Sequence, residues 1–441
     1  MCFSQSVHCG VTMALLVCIS VIGEAVSRNF SPELHGYASF EAGEIMEGYS
    51  SVPSVSDHEL FRAWLQTGYV GFRFEAAVNE HLRVLLGGEA QTFISFLRTE
   101  GNMNDAFTES RQPRTVFSIK HGEGIYTIGS EDESYLQVEA GFFPYKYHQE
   151  VRNLGEYLFQ TYAYPASMWN KFDKPYADLT GIRIGGSLPT GPGSINANFL
   201  MTTSTFFWPF MNWSPTLLAD YSIPQLLTVG GGVQWWNLIP VGVHNPQLGG
   251  TPTEPDSVST FAGTKLMTRL TFDIKGLFSE DAPFINQIGR EDLKIYGELA
   301  VLGWKNHPGP DTSIVDGFEK RLWRTPMMFG VNLPVPRIFD FTLFDLLNIE
   351  FEYQESPYPN SIFNPVYRML PDPVQKQDHA QWKWSVYAKK NLNEHVSLTF
   401  QAARDHIMPQ STIAAIDYSD YTDVLLRNTD WWWTGKVRFG F

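Results

Sequence analysis

Apolar and polar residues alternate with period two over most of the chain. In 69–78, Val70, Phe72, Phe74, Ala76 and Val78 alternate with Tyr69, Gly71, Arg73, Glu75 and Ala77. This spacing predicts a strand with one greasy face. Asn79-Glu80-His81 makes a tight turn, and Leu82, Val84 and Leu86 resume the apolar face against Arg83, Gly87 and Glu89. The device recurs near the end of the chain. Trp382, Trp384, Val386 and Ala388 oppose Lys383, Ser385, Tyr387 and Lys389, and after a turn through Asn391–Glu394 come Val396, Leu398, Phe400 and Ala402. Both turns read Asn-Glu-His before an aliphatic residue. That is polar turn chemistry used twice rather than an acid–base site. A third short turn is predicted at Pro189-Thr190-Gly191-Pro192-Gly193.

Fifteen segments carry a strand pattern: 35–48, 64–78, 82–97, 115–128, 134–145, 178–188, 194–204, 226–242, 259–274, 293–305, 325–334, 346–355, 380–390, 394–405 and 430–441. Long polar, proline-rich stretches separate the hairpins, at 98–114, 146–177, 205–225, 243–258, 306–324, 356–379 and 406–429. If the tight turns at 79–81, 189–193 and 391–393 lie on one side, segment 380–390 must be an even-numbered strand. One strand between about 205 and 380 is therefore hidden, and the expected total is about 16, consistent with roughly 25 residues per strand and its connection.

The chain ends in Thr434-Gly435-Lys436-Val437-Arg438-Phe439-Gly440-Phe441, with Trp431 and Trp433 continuing its apolar face. Water-soluble chains rarely end in an exposed half-apolar edge strand, whereas a closed barrel needs one to complete the ring. Here the chain resembles the bacterial outer-membrane β-barrels, whose last strand ends in an aromatic residue. Residues 138–147 with 152–159 are similar to a segment of porin-like members. The resemblance implies an all-β fold, a transmembrane antiparallel up-and-down β-barrel with short periplasmic turns and long extracellular loops. It also implies that Phe439 and Phe441 form an assembly signal read by the barrel-assembly machinery. Outer-membrane lipid and lipopolysaccharide are then the surrounding partners, with a possible homo-oligomer.

The amino terminus agrees. Val11 to Ile22 is too short and too early for a membrane span and suits a signal-peptide core, although residues 1–10 lack Lys and Arg. Ala25-Val26-Ser27 supplies small residues for cleavage, giving a signal peptide over 1–27 and a barrel over 28–441. Cys18 invites a lipoprotein reading that Val17 disfavours. All three cysteines lie in that segment, so the mature chain would carry none.

Composition separates membrane classes. Mean hydropathy is −0.18, and no later apolar run is long enough for a membrane-spanning helix; lipid-facing and lumen-facing strand residues average out in this way. Aromatics make up 15% of residues, with 13 Trp and 19 Tyr, as girdles at the two membrane interfaces require. A secreted carbohydrate-binding β-protein shares that richness. The net charge of −15 and the lack of a basic cluster argue against nucleic acid.

If apolar faces meet lipid, the alternation turns Arg73, Glu75, Arg83, Glu89, Glu139, Arg183, Lys265, Arg269, Lys294, Glu298, Glu350, Glu352, Lys383, Lys436 and Arg438 into the lumen, because a charge facing lipid costs about 2–4 kcal/mol at mid-membrane. Neighbours such as Arg73 and Glu75 are also expected to pair on the wall. The long segment 146–177 contains an amphipathic stretch, Val151–Phe159. It is expected to fold into the lumen as a constriction, with Val151, Leu154, Leu158 and Phe159 on the wall and Glu150, Arg152 and Glu156 towards the axis. No nucleophile, metal or phosphate-loop motif appears, Asp378-His379 and Asp405-His406 read as solvated loop pairs, and no enzyme or cofactor is expected. A barrel of this size has room for water. The expected function is a porin-like channel for small hydrophilic solutes in the bacterial outer membrane. The alternative is a non-conducting barrel that binds extracellular polymer through the aromatic loop 205–225, with Phe206, Phe207, Trp208, Phe210, Trp213 and Tyr221.

Overall fold

The computed structural model describes residues 32–47, 63–96, 114–130, 134–160, 176–203, 212–239, 263–278, 288–304, 320–335, 342–356, 381–404 and 431–441. Residues 1–27, expected to be a signal peptide, Phe206–Phe210 and both Asp-His pairs lie outside these residues. The described chain forms sixteen strands. They are β1 (Pro32–Glu47), β2 (Ala63–Ala77), β3 (Leu82–Phe96), β4 (Arg114–Gly129), β5 (Tyr135–Tyr145), β6 (Ala177–Thr190), β7 (Gly193–Thr203) and β8 (Trp213–Ile223). They continue with β9 (Leu227–Trp236), β10 (Gly263–Asp273), β11 (Lys294–Val301), β12 (Met327–Leu333), β13 (Leu346–Gln354), β14 (Gln381–Asn391), β15 (Val396–Arg404) and β16 (Trp431–Gly440). No described helix is long and apolar enough to cross a membrane.

Each strand pairs antiparallel with its sequence neighbours, and β1 pairs with β16 to close the ring. Closure leaves no unpaired edge, the condition under which strands can sit in hydrocarbon. At the seam Tyr37 faces Gly440, and Phe441 exchanges backbone hydrogen bonds of 2.9 and 2.7 Å with Gly36. The Phe441 ring covers Gly36, so a side chain there would displace it.

Alternation along each strand sorts the side chains. Phe40, Val70, Phe72, Ile182, Phe199, Phe329, Phe351 and Phe400 are exposed on the outside, while Ser39, Glu41, Glu89, Thr216, Asn348 and Glu350 are buried within. This inside-out partition is that of a transmembrane barrel.

The hidden strand is β8. It lies in the stretch expected to be an aromatic loop, which places Trp213 and Tyr221 in the barrel wall rather than on an extracellular platform. Its pattern was obscured because Leu218 is apolar yet faces inward, fully buried, and Pro215 interrupts the run.

Connections after even-numbered strands fall on one side, the turn side, and this makes Gln381–Asn391 even-numbered, as parity required. The two Asn-Glu-His turns fold alike. The Asn79 side chain accepts the amides of His81 and Leu82 at 2.9 and 2.8 Å. Asn393 accepts those of His395 and Val396 at the same two distances, 2.9 and 2.8 Å. Two turn-side connections are longer than the expected short turns, 274–293 and 334–345. Asp292 ties them together, accepting the amides of Gly289 (2.8 Å) and Val335 (3.0 Å).

These turns generate a prediction. Asn79→Ala and Asn393→Ala should each lower barrel stability by about 1 kcal/mol, additively because the turns are far apart. Glu80→Ala and Glu394→Ala, at exposed side chains, should change it little. Urea titration of the folded barrel in micelles measures both, and a larger loss from either Glu variant would overturn the turn reading.

Candidate lumen constriction

After β5 the chain does not leave the barrel. Phe143 and Tyr145 are already buried at the end of that strand, and residues 146–160 continue down inside the wall, closing with a single helical turn, α1 (Tyr157–Gln160). Burying backbone this way exposes amides that need acceptors, and carboxylates on the lumen face supply them. Glu350 accepts the amides of Arg152 (2.6 Å), Asn153 (2.8 Å) and Leu154 (2.9 Å) and the hydroxyl of Tyr296 (2.6 Å). Glu298 accepts the Glu156 amide at 2.6 Å, and Glu156 in turn accepts the amides of Tyr147 and His148. Tyr157 donates to Glu352 at 3.1 Å.

Cations fix the other end. The Arg269 guanidinium lies 4.0 Å from the Tyr147 ring, donates to the Tyr147 carbonyl, and pairs with Asp220 at 2.9 Å. Lys294, the first residue of β11, holds Glu150 at 3.0 Å, so the segment reaches the turn-side end of that strand. The chain reverses at Gly155, whose φ of +99° and 3.0 Å approach of a Cβ position to Glu298 require glycine.

His148 sits between Glu298 (2.7 Å) and Thr271 (2.9 Å). Burial, with Arg269 adding, holds its pKa down to about 4. A neutral ring then donates from Nδ1 to the carboxylate and accepts at Nε2 from the hydroxyl. Burial, followed by the nearby Glu298 charge, pushes the Glu156 carboxyl above the usual carboxylate range.

Apolar packing completes the seat. Val151, Leu154, Tyr157 and Leu158 are buried against Leu200, Leu218, Met267, Tyr296, Ala300, Leu302 and Met328. Full burial stabilises each large apolar side chain by about 1.5–3 kcal/mol at most, so the seat exceeds any single hydrogen bond.

The positions expected to line the lumen divide into two groups. Lys265, Arg269, Lys294, Glu298, Glu350, Glu352 and Lys383 lie inward on β10, β11, β13 and β14, and Glu298, Glu350, Arg269 and Lys294 hold the segment itself. On the other strands, Arg73 and Arg83 share Glu75 at 3.9 and 3.2 Å, Arg183 pairs with Glu139 at 2.9 Å, and Glu89 faces Lys120 at 4.0 Å. Lys436 and Arg438 lie over the rings of Tyr69 and Tyr37. Val151, Leu154, Leu158 and Phe159 pack on the wall, and Glu150 and Arg152 are partly exposed within the lumen. Glu156 differs from its expected axial position. It is 1% exposed and turned into the wall, because the chain needs its carboxylate to satisfy two amides.

Sequence reasoning missed His148, Asn153, Tyr157 and Tyr296. A signal for their seat was present: Leu200, Leu218, Met267, Ala300 and Met328 are apolar at lumen-facing positions and need something apolar to cover them.

No family model and no curated protein matches the chain. Among solved structures it is similar to a mutant porin of Rhodopseudomonas blastica, at 8% identity and a TM-score of 0.39, over 93% of this chain and 100% of that one. It is also similar to Salmonella typhi OmpF, at 11% identity and a TM-score of 0.44, over 93% and 97% of the two chains. The sixteen-strand architecture rests on the strand pairing described above.

Glu350→Gln tests the seat. Losing the carboxylate charge weakens hydrogen bonds worth about 1.5–3 kcal/mol each. Amide exchange over 146–160 should accelerate about a hundredfold or more while the strands stay protected. Hydrogen-exchange mass spectrometry reads this, and unchanged protection would remove Glu350 from the account.

Proposed function

We propose that the protein is an outer-membrane porin-like channel whose lumen is narrowed on one side by residues 146–160, passing small hydrophilic solutes. The observation that carries this reading is the one-sidedness of the inserted segment. The hydrogen bonds described between segment and wall run to β8–β13, including those from the Tyr147 hydroxyl to the Ala219 (3.1 Å) and Gly231 (3.0 Å) carbonyls. The facing wall, β14–β16 and β1–β4, turns the polar side chains of Ser385, Gln401, Thr434, Ser39, Glu41, Tyr69 and Glu123 inward, where they are buried, and none of those hydrogen bonds ties the inserted segment to it. The turn side would face the periplasm and the loop side the exterior, with lipid and lipopolysaccharide around the apolar band. The assembly machinery would read Phe439 and Phe441. A homo-oligomer is compatible with this reading. The polymer-binding alternative loses part of its motive, because Trp213 and Tyr221 belong to β8.

Planar-bilayer recording tests the proposal. The wild-type barrel should conduct stepwise. Replacing 147–159 with a short Gly-Ser linker should raise single-channel conductance, and Glu150→Gln with Arg152→Gln should shift the reversal potential in a salt gradient. A folded barrel that inserts without conducting would contradict the channel reading. Unchanged conductance in the linker variant would show that the segment is not the constriction.

A further inference from the structure

Every strand of the ring has a partner on each side, but the partners are unequal in length. β4 pairs with β3 from Arg114 to Tyr126, and with β5 only from Gly122 to Gly129. Two features end the second ladder. Lys120 is an extra, bulged residue between Ile119 and His121, and β5 reaches Pro144, which has no N–H to give. Lys120 then closes the lower end of the gap, reaching Asp178 of β6 at 3.5 Å. Beyond it, Arg114–Ser118 has β3 on one edge and, among the described residues, no strand on the other.

Unpaired backbone is not tolerated in hydrocarbon, so this edge stands at the loop-side rim of the apolar band or above it. Length agrees: β4 has sixteen residues, against the about 9–11 that suffice to cross. The outer face turns polar at the same height, where Thr92 and Thr115 share a hydroxyl hydrogen bond of 3.0 Å. Open edges are normally blunted by charge, proline or a bulge. None of these occurs along Thr115-Val116-Phe117-Ser118, and β-branched and aromatic residues suit a strand. Phe117 is 64% and Ile119 52% exposed on the outer face. The alternating N–H and C=O groups of such an edge are matched by another extended backbone. A second copy does not fit. Upright in the same membrane its β4 runs in the same sense, and a two-fold axis along the membrane normal sets donor against donor.

We propose that the open edge of β4 over Arg114–Ser118 is a docking site for an extended segment of another protein, which joins the barrel wall as an added strand on the loop side. The backbone of that segment supplies the affinity, and apolar side chains placed beside Phe117 and Ile119 supply the fit. The site lies on the wall rather than in the lumen and does not depend on conduction.

Hydrogen exchange of the folded barrel in neutral detergent, read residue by residue by mass spectrometry, tests this in two steps. In the free barrel, alternate amides of 114–118 should exchange about a hundredfold or more faster than those of 122–129, which lie between two paired edges. The probe for the second step is a capped, fluorescently labelled peptide, Glu-Val-Thr-Phe-Thr-Val-Glu. Its anisotropy should show saturable binding, and exchange should slow within 114–118. The same peptide N-methylated at every residue should not bind, because it has no donors left. Phe117→Ala with Ile119→Ala should weaken binding about five- to tenfold, the worth of two cross-strand side-chain pairs. Phe199→Ala on β7, a strand paired on both edges, should leave it unchanged. Heat-modifiable gel migration confirms that each variant is folded. Full protection of 114–118 in the free barrel, absence of saturable binding, or equal binding of the N-methylated peptide would overturn the site. Protection that rises with barrel concentration alone would overturn it in favour of a second copy.

Discussion

Backbone that enters the lumen of a barrel must find hydrogen-bond acceptors there, and in this protein carboxylates on the wall supply them. Glu350 takes three consecutive amides, and Glu298 and Glu156 take three more between them. An unpaired buried amide costs roughly 1–3 kcal/mol. Without these acceptors the apolar seat of residues 146–160 would be opposed by unpaired amides, and if the segment left, the apolar side chains of β7, β8, β10, β11 and β12 would face the lumen uncovered.

The same arrangement gives the lumen two unlike halves. On β8–β13 the charged side chains serve the inserted segment: Arg269, Lys294, Glu298, Glu350 and Glu352 are spent on its backbone, rings and carboxylates. On β14–β16 and β1–β4 the charges meet one another, aromatic faces or the lumen itself. In that second half Glu41, Tyr69, Lys436, Tyr37 and Arg438 succeed one another towards the turn side.

Most of the barrel was legible in the sequence because lipid imposes a strict two-residue rule on the wall. Phe72 against Arg73, or Phe351 against Glu352, leaves one orientation open, since a charge in hydrocarbon is costly. The repeated Asn79 and Asn393 turns marked strand ends for the same local reason. The rule failed where the lumen is not aqueous. Leu218 faces inward as an apolar residue because Leu158 covers it, so β8 looked like a loop. Glu156 looked axial because helical spacing says nothing about which amides need an acceptor. His148, Tyr157 and Tyr296 were invisible because their roles depend on partners more than a hundred positions away, or fifty for Tyr296 and Glu350.

The central claim is that residues 146–160 are seated against β8–β13 within the barrel. Thiol cross-linking between segment and wall tests it directly, and the predicted mature chain has no cysteine to interfere. Leu158 and Gly232 are the pair of choice, since the Leu158 side chain lies 3.0 Å from where a Gly232 Cβ would be. With Leu158→Cys and Gly232→Cys, mild oxidation or a short bismaleimide applied to the folded barrel should give an internally cross-linked chain, seen as a mobility shift under denaturing conditions. Both cysteines remaining free to react with a bulky maleimide, in a barrel that is folded and inserted, would contradict the account.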